Sequence, residues 1–444
     1  MLYALGVVIA FIGIALSIAL HEVGHLVPAK KFGLRVPQYM VGFGPTIWSR
    51  TRGETEYGVK AVPLGGYIRM IGMFPPAPGQ DPMLTRTSNT GRMGQLIDEA
   101  RQQSFEEVQP GDDGRMFYQL PVWKRVIIMM GGPVMNLLIA LVLFTGIFTL
   151  HGIAVATPTL SSVSECVDIS QAGQQARNEC TPDMPLAPAN EAGLLPGDTI
   201  TAINGSAVTT WDDVRQGIRD NLGAPLSLTI TRDGQTRTLV ADPIVLDLPV
   251  YGDKGQLQYD DSGALITEKA GFLGASGSRE MQEQPLTAVP GLFWDNVQQT
   301  YALLVKIPEK LIGVAEAAFS DAERDPNGPM SVVGVGRIAG EVASSDVFGD
   351  TSDKAILLLS LLASLNLVLF AFNTIPLLPL DGGHVAGALW EAVKKGWAKL
   401  RGLPDPGPVD VAKALPLAYG VALAFIAMTL LLVYADIVKP IRLT

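Results

Sequence analysis

Lysine and arginine are missing from the first 29 residues, which begin Met1-Leu2-Tyr3 and run apolar from Leu2 to Leu20. A secretory signal peptide would begin with a basic segment, have a shorter apolar run and end in a small-residue cleavage site. The first cations here are Lys30 and Lys31, after the apolar run. The pattern predicts a retained helix that crosses a membrane from outside to inside.

Positive charge is also scarce overall, with 33 Lys+Arg against 43 Asp+Glu and a net charge of −10. The acidic excess lies in residues 151–354, which hold 13 Lys+Arg and 28 Asp+Glu. Residues 30–125 hold 13 against 9, and residues 379–413 contain five Lys+Arg. The positive-inside rule therefore predicts that 30–125 and 379–413 are cytoplasmic and 151–354 external. The acidic balance also argues against nucleic-acid binding.

Three further apolar stretches are long enough to cross a bilayer, which takes about 20 residues. They are Val126–Leu150, Ala355–Leu378 and Leu415–Val438. Four spans place both termini outside. The stretch 288–319 is interrupted by charged residues and proline, and it suits an amphipathic helix on the membrane surface.

Cysteine is nearly absent, and both copies, Cys166 and Cys180, lie in the external segment. A disulfide between them is expected in an oxidising compartment.

Histidine is also rare, yet two of the four histidines, His21 and His25, belong to the pentapeptide HEVGH at the end of the first apolar run. Residues four apart share a helix face, so both imidazoles can reach one Zn2+. Glu22 lies beside that metal, placed to take a proton from a metal-activated water. The pentad sits on a predicted span, which indicates chemistry inside the bilayer, near its cytoplasmic side.

A catalytic zinc usually has three protein ligands. The candidate for the third is Asp381, because it closes the third span on the side where the pentad lies. The Asp-Gly pair alone would be weak evidence for a metal ligand, and its weight comes from its combination with HEVGH. His151 is expected to be a membrane-edge residue.

Residues 30–73 are rich in glycine and strand formers, which predicts bent β-hairpins. The hairpin is either an ordinary cytoplasmic one or a loop that enters the membrane and offers its edge to an extended substrate. Residues 74–118 predict a flexible or partly disordered insertion. Asn136, polar within the second span, is either a packing contact or part of the site.

The external segment at 190–242 resembles a PDZ domain of the bacterial permuted type. It has turn, strand, Asn-Gly turn, amphipathic helix and two more strands. Upstream, where such a domain has its carboxylate-binding strand, the likeness fades into the Cys166–Cys180 segment. A peptide groove remains possible, but capture of a C-terminus is in doubt.

Taken together, the motifs resemble the site-2 proteases, the RseP-like intramembrane zinc metalloproteases, and among them the actinobacterial members. The carriers, in family order, are His21-Glu22-Val23-Gly24-His25, Pro63-Leu64-Gly65-Gly66-Tyr67, Gly132-Pro133-x-x-Asn136, the PDZ-like unit and Asn373-x-x-Pro376-x-x-x-Leu380-Asp381-Gly382. The resemblance covers most of the chain outside 74–118 and 243–285.

The resemblance implies that His21, His25 and Asp381 hold Zn2+ and that Glu22 is the general base. Asn373 would hydrogen-bond the substrate backbone or the developing oxyanion, unless it is only a turn residue before Pro376. The substrate-binding segment would be Gly65, Gly66 and Tyr67. His384 and Asn136 are candidates for orienting the ligands, although an interfacial role for His384 is an equal alternative.

The fold class predicted is a polytopic α-helical membrane protein with four transmembrane helices, a membrane-associated β-hairpin region and one extracytoplasmic PDZ (α/β) domain. The predicted segments are a first span 1–29, a re-entrant β region 30–73, a flexible insertion 74–124, a second span 125–150, a PDZ domain 151–245, a linker 246–287, a surface helix 288–319, an external loop 320–354, a third span 355–380, a cytoplasmic loop 381–413 and a fourth span 414–438.

The function implied is regulated intramembrane proteolysis in a bacterial inner (plasma) membrane. The substrates would be single-span proteins such as anti-sigma factors or remnant signal peptides, first shortened outside by a site-1 protease, with the PDZ domain as a size filter. One rival is a non-catalytic membrane-anchored PDZ scaffold. A cation transporter would need charged residues in several spans and internal repeats, which the sequence lacks.

Overall fold

The computed structural model describes residues 1–76, 92–105, 108–167, 176–177, 180, 184–250, 258, 260, 265–320, 322, 324–326 and 328–441. They form two compact units. The helical unit comprises Met1–Thr149 and Pro285–Thr444, and the sheet unit is Leu150–Gln284.

The helices in chain order are α1 Leu2–Lys31, α2 Arg92–Phe105, α3 Val122–Leu150, α4 Pro188–Glu191, α5 Trp211–Arg219, α6 Val289–Val305, α7 Ile307–Phe319, α8 Val332–Ser344, α9 Thr351–Asn373, α10 Asp381–Leu400 and α11 Leu415–Val438. The strands are β1 Gln38–Arg52, β2 Thr55–Arg69, β3 Ile153–Val163, β4 Cys166–Val167, β5 Ala176–Arg177, β6 Thr199–Ile203, β7 Ser206–Ala207, β8 Leu226–Arg232, β9 Gln235–Ala241, β10 Ile244–Pro249, β11 Thr267–Phe272 and β12 Ala275–Gln282.

Four helices of the described chain are long and apolar enough to cross a membrane, and they contain α1, α3, α9 and α11. This agrees with the four predicted spans. The helix ends have local causes. Gly33, just past the end of α1, has φ +83°, a conformation that glycine adopts without cost. The N-terminus of α9 is capped by Asp350, whose carboxylate accepts from the amides of Ser352 and Asp353.

The region between the sheet unit and α9 differs from its prediction. In place of one surface helix over 288–319 there are two, α6 and α7, which meet at Lys306 ahead of Pro308. The predicted loop 320–354 contains α8, which packs against α1 through small residues. A Cβ at Gly6 of α1 would collide with the Ala339 carbonyl, so the two backbones touch.

The predicted β region is a sheet made by two long, bent strands. Residues 38–41 of β1 pair with 66–69 on one side and with 56–59 on the other. Residues 48–52 of β1 pair with the first part of β2. Four paired segments result, of which 38–41 and 56–59 run parallel and the other two pairs run antiparallel, and among the described pairs 66–69 is an edge.

Part of the predicted flexible insertion is helical. Its residues 77–91 and 106–107 lie outside the described chain, and α2 lies between them in the sequence. Arg101 of α2 reaches Asp410 at 2.5 Å, ahead of α11. The Ser104 hydroxyl accepts from the amide of Phe74 at 3.2 Å. The predicted loop 381–413 likewise begins with α10.

The sheet unit is built on an antiparallel sheet with strand order β12-β3-β6-β8-β9, with β7 beside β6. Its core includes Leu160, Ile200, Leu226 and Leu228, none more than 2% exposed. The predicted linker 246–287 is not a linker, because it supplies β10, β11 and β12. The edge strand β12 pairs with β3, more than a hundred residues earlier in the chain, so no local sequence signal reveals it. Cys166 and Cys180 form a disulfide.

Candidate metal centre

The pentad lies on an unbroken helix. α1 continues through His21 and His25 to Lys31, although Pro28 lies within it. Proline has no amide hydrogen, so the carbonyl of Gly24, four residues earlier, receives no helical hydrogen bond from it. That carbonyl lies directly against Gly131 of α3. The helical spacing puts both imidazoles on the face that meets α3.

The predicted ligands converge. His21 Nε2 and His25 Nε2 are 3.2 Å apart, and each lies 3.4 Å from Asp381 Oδ2. Four ligands arranged tetrahedrally around zinc at about 2.0–2.1 Å are separated by roughly 3.3–3.4 Å. Within the described chain, Asp381 Oδ2 is buried and has no hydrogen-bond partner. Two imidazole nitrogens and an unsatisfied carboxylate oxygen at these distances fit a bound Zn2+.

Each histidine is oriented through its other ring nitrogen. His25 Nδ1 lies 2.8 Å from the carbonyl of Ile128, which accepts a hydrogen bond from it and leaves Nε2 as the metal-binding atom. His21 Nδ1 lies 3.1 Å from Asn136 Nδ2. Asn136 Oδ1 is buried and has no partner among the described residues. Rotating the Asn136 amide by 180° would turn Oδ1 towards the His21 ring, where it would accept a hydrogen bond from Nδ1.

Glycines allow the helices to come this close. A Cβ on Gly24 would collide with the backbone of Gly131, and the reverse is equally true. A Cβ on Gly132 would stand against His25 Nε2 and 2.6 Å from His21 Nε2. The ligand pair therefore occupies the space that a side chain at 132 would take.

Glu22 faces the edge of the bent sheet. Its Cγ lies 3.0 Å from where a Gly66 Cβ would stand. The hydroxyl of Tyr39 donates to the Ala19 carbonyl at 2.8 Å and ties the sheet to α1. Of the predicted substrate-binding residues, the structure thus brings Gly66 to Glu22, while Gly65 and Tyr67 flank it on β2 and contact or stack on Phe43.

The structure gives the positions of two other predicted residues, whose roles stay predictions. Asn373 is the last residue of α9, and its Nδ2 donates to the Leu369 carbonyl at 3.1 Å. His384 follows Asp381 by one turn of α10, and its Nδ1 is buried without a hydrogen-bond partner in the described chain. Its ring is 6.5 Å from that of Phe74.

Sequence reasoning missed one polar pair near the site. Asn366 of α9 is fully buried and donates from Nδ2 to Ser17 Oγ at 2.9 Å and to the Leu362 carbonyl at 2.8 Å. Ser17 lies one helical turn before His21. An asparagine within an apolar span is the signal that could have identified it.

Comparison with known proteins shows what this arrangement belongs to. Residues 9–402 match the family model described as Peptidase family M50. The chain belongs to Peptidase family M50.

Among its relatives is the zinc metalloprotease Rip1 of Mycobacterium tuberculosis H37Rv, 33% identical over 452 residues and covering 100% of both chains. Rip1 of Mycolicibacterium smegmatis is 33% identical over 456 residues, again with 100% of both covered. The metalloprotease MmpA of Caulobacter vibrioides is 27% identical over 394 residues, which are 86% of this chain and 85% of MmpA. The predicted resemblance, and with it a zinc-dependent metalloendopeptidase, is confirmed.

Proposed function

We propose that this M50 peptidase hydrolyses peptide bonds within single-span membrane proteins. The observation that carries the proposal is the position of the ligand triangle. Two of its corners lie on α1, a helix apolar enough to cross a bilayer. Zinc bound there supplies Lewis-acid activation of water and of the scissile carbonyl.

The protein's own side chains do the remaining work. Glu22 accepts the proton of the attacking water and returns it to the leaving amine. Ile128 and Asn136 hold the imidazoles in the orientation that keeps Nε2 available. Asn373 would donate to the substrate backbone or to the developing oxyanion.

Substrate enters as an extended strand. Backbone amides inside a membrane helix are hydrogen-bonded to one another, so a helical substrate must unwind before water attacks. In the described chain the segment 66–68 pairs with a strand on one side only, and it lies beside Glu22, so a substrate strand added on its other side would satisfy the backbone groups of the substrate.

The membrane placement follows from charge. Residues 30–125 and 379–413 lie on the cytoplasmic side of a bacterial plasma membrane, and the sheet unit and both termini lie outside. The sheet unit is a PDZ-type domain that acts as a size filter. Its substrates are anti-sigma factors or remnant signal peptides, shortened beforehand by a site-1 protease.

The test uses full-length wild type and Glu22→Gln in detergent, with single-span substrates that have either a trimmed or an intact external domain. Zinc content is measured on the same samples. We expect zinc in both proteins, cleavage by wild type alone and a strong preference for trimmed substrates. Equal zinc with no cleavage by wild type would favour the non-catalytic scaffold, and loss of the trimming preference would remove the size filter alone.

A further inference from the structure

Helix α10 is held from one side by a buried acid. Glu391 is 1% exposed, and its Oε1 lies 2.5 Å from Nη2 of Arg125 on α3. Its Oε2 accepts from the amide of Val409 at 3.0 Å. The buried ion pair and this second hydrogen bond together fix how α10 is rotated about its axis.

The opposite side of α10 is an exposed apolar stripe. Its large side chains recur every three or four residues, and each is more than half exposed. They are Trp390 at 58%, Val393 at 59%, Trp397 at 56% and Leu400 at 85%. In water this exposure would leave two tryptophans on an open surface.

Positive charge borders the stripe. Lys394 lies beside it, Lys399 is exposed, and the Arg401 guanidinium sits 4.4 Å from the centre of the Trp397 ring. Apolar side chains next to lysine and arginine are typical of helices that lie in a membrane interface.

The stripe is also one wall of a groove. An open groove of ≈ 610 Å³ lies between α10 and the loop that follows it. Its lining includes Trp390, Val393, Lys394, Trp397, Leu403 and Pro404. Such a volume lies in the range of small-molecule sites, roughly 300–1,000 Å³. The wall is almost wholly apolar and carries a single cation, Lys394.

We infer that this groove binds an anionic phospholipid. The acyl chain would lie along the tryptophans and prolines, and the phosphate would contact Lys394. Membrane lipid is the occupant because α10 connects α9 to α11, two helices apolar enough to cross the bilayer, and so stays at one membrane surface. Tryptophan and lysine favour that depth, and basic residues there attract anionic headgroups.

The lipid also bears on the metal centre. Asp381 is the first residue of α10, so a lipid in the groove restrains the helix that carries the third ligand. The inference rests on the membrane placement under Proposed function and not on peptidase activity. Its test therefore measures binding.

The test is native mass spectrometry of the full-length protein, titrated with phosphatidylglycerol or with phosphatidylcholine of the same acyl chains. The variants are Lys394→Glu, Lys394→Arg and the double variant Trp390→Ala with Trp397→Ala. The controls are Lys269→Glu, an equal charge change at an exposed site in β11, and Trp294→Ala, an α6 tryptophan that is 59% exposed. Circular dichroism and gel filtration verify that each variant is folded.

Wild type should bind phosphatidylglycerol preferentially. Lys394→Glu should lose that preference by about fivefold or more, since one Lys near a membrane surface contributes roughly that factor. Lys394→Arg should keep it, and the double tryptophan variant should weaken both lipids. Binding by Lys394→Glu equal to wild type would overturn the inference. So would a wild-type dimer that the tryptophan variant dissociates, because the stripe would then join two copies of the chain.

Discussion

Gly132 has only a hydrogen where a side chain would point at two imidazoles. The ring nitrogens of His21 and His25 fill the space that a Cβ would need. Gly24 and Gly131, each next to one of these residues in sequence, likewise lack side chains, which lets the backbones of α1 and α3 touch. The metal ligands are therefore positioned as much by missing side chains as by the groups that bind.

Replacing Gly132 by alanine should empty the metal centre. The added Cβ would collide with His25 Nε2, and the helix backbone offers no room to move away. We expect zinc content and peptidase activity both to fall at least tenfold. The helical circular dichroism spectrum should be retained. Gly146→Ala, on the same helix, is the matched control, because a Cβ at that position would meet nothing within 4 Å. Full zinc occupancy in Gly132→Ala would contradict this account of the site.

The convergence of the candidate ligands was predictable, and Asn136 was a predicted support, whereas the support from Ile128 was not predictable. His21 and His25 follow from helical spacing, and Asp381 follows from its place at the end of an apolar run on the matching side. The Ile128 carbonyl carries no sequence signal, since every residue has one. Its role depends on how α1 crosses α3, which only the fold determines.

Ser17 and Asn366 join α1 to α9 within the apolar layer. The bond from Asn366 Nδ2 to Ser17 Oγ is buried, and Ser17 also donates to the Gly13 carbonyl at 2.9 Å. Hydrogen bonds between membrane helices contribute modestly, on average about 0.6 kcal/mol in measured cases. The Asn366–Ser17 hydrogen bond fixes the register of α1 against α9. That register matters because α1 carries the His pair and α9 leads to Asp381.

Asn366→Ala should loosen the metal centre without removing any ligand. Losing about 0.6 kcal/mol of helix–helix attachment corresponds to roughly threefold, so zinc should leave at least threefold faster under a chelator. The release is followed with a chromogenic zinc indicator. Ser364→Ala, at an exposed position of the same helix, should release zinc at the wild-type rate. An unchanged rate in Asn366→Ala would show that the register is held elsewhere.

Among the elements, the long apolar helices were predictable because each carries its own signal. α8 was not, since its glycines break the apolar pattern and make sense only against a partner. A Cβ on Gly340 would stand 2.6 Å from the Tyr3 ring of α1, more than 300 residues earlier. The strand β12 was not predictable for the same reason, because its partner β3 is distant in the chain.

The sheet unit contains a buried acid that is held by an arginine. Asp198 is 1% exposed and accepts two hydrogen bonds of 2.6 Å from Arg232 and one of 2.8 Å from the Leu195 amide. Burial works to raise the pKa of Asp198, but the Arg232 guanidinium and the Leu195 amide outweigh it and hold that pKa below its usual value.

A pH dependence follows for the sheet unit. Because the folded pKa of Asp198 is the lower one, its contribution to stability is complete above the unfolded pKa of about 3.9 and is lost as the pH falls further. Asp198→Asn should be less stable than wild type at pH 6, and the difference should shrink towards pH 3. Hydrogen exchange of peptides from β6 and β8, corrected for intrinsic rates, measures it. Asp247→Asn, exposed on β10, should match wild type, and a difference that grew on acidification would reverse the sign argued here.

The metal centre is assembled from the two ends of the chain. His21 and His25 leave the ribosome about 350 residues before Asp381. At a synthesis rate of 5–20 residues per second, the interval is roughly 20–70 s. During that time the pentad lies in the membrane with two ligands and no third. The candidate zinc site of the nascent chain therefore stays incomplete until Asp381 has been synthesised, which delays any cleavage of neighbouring membrane proteins.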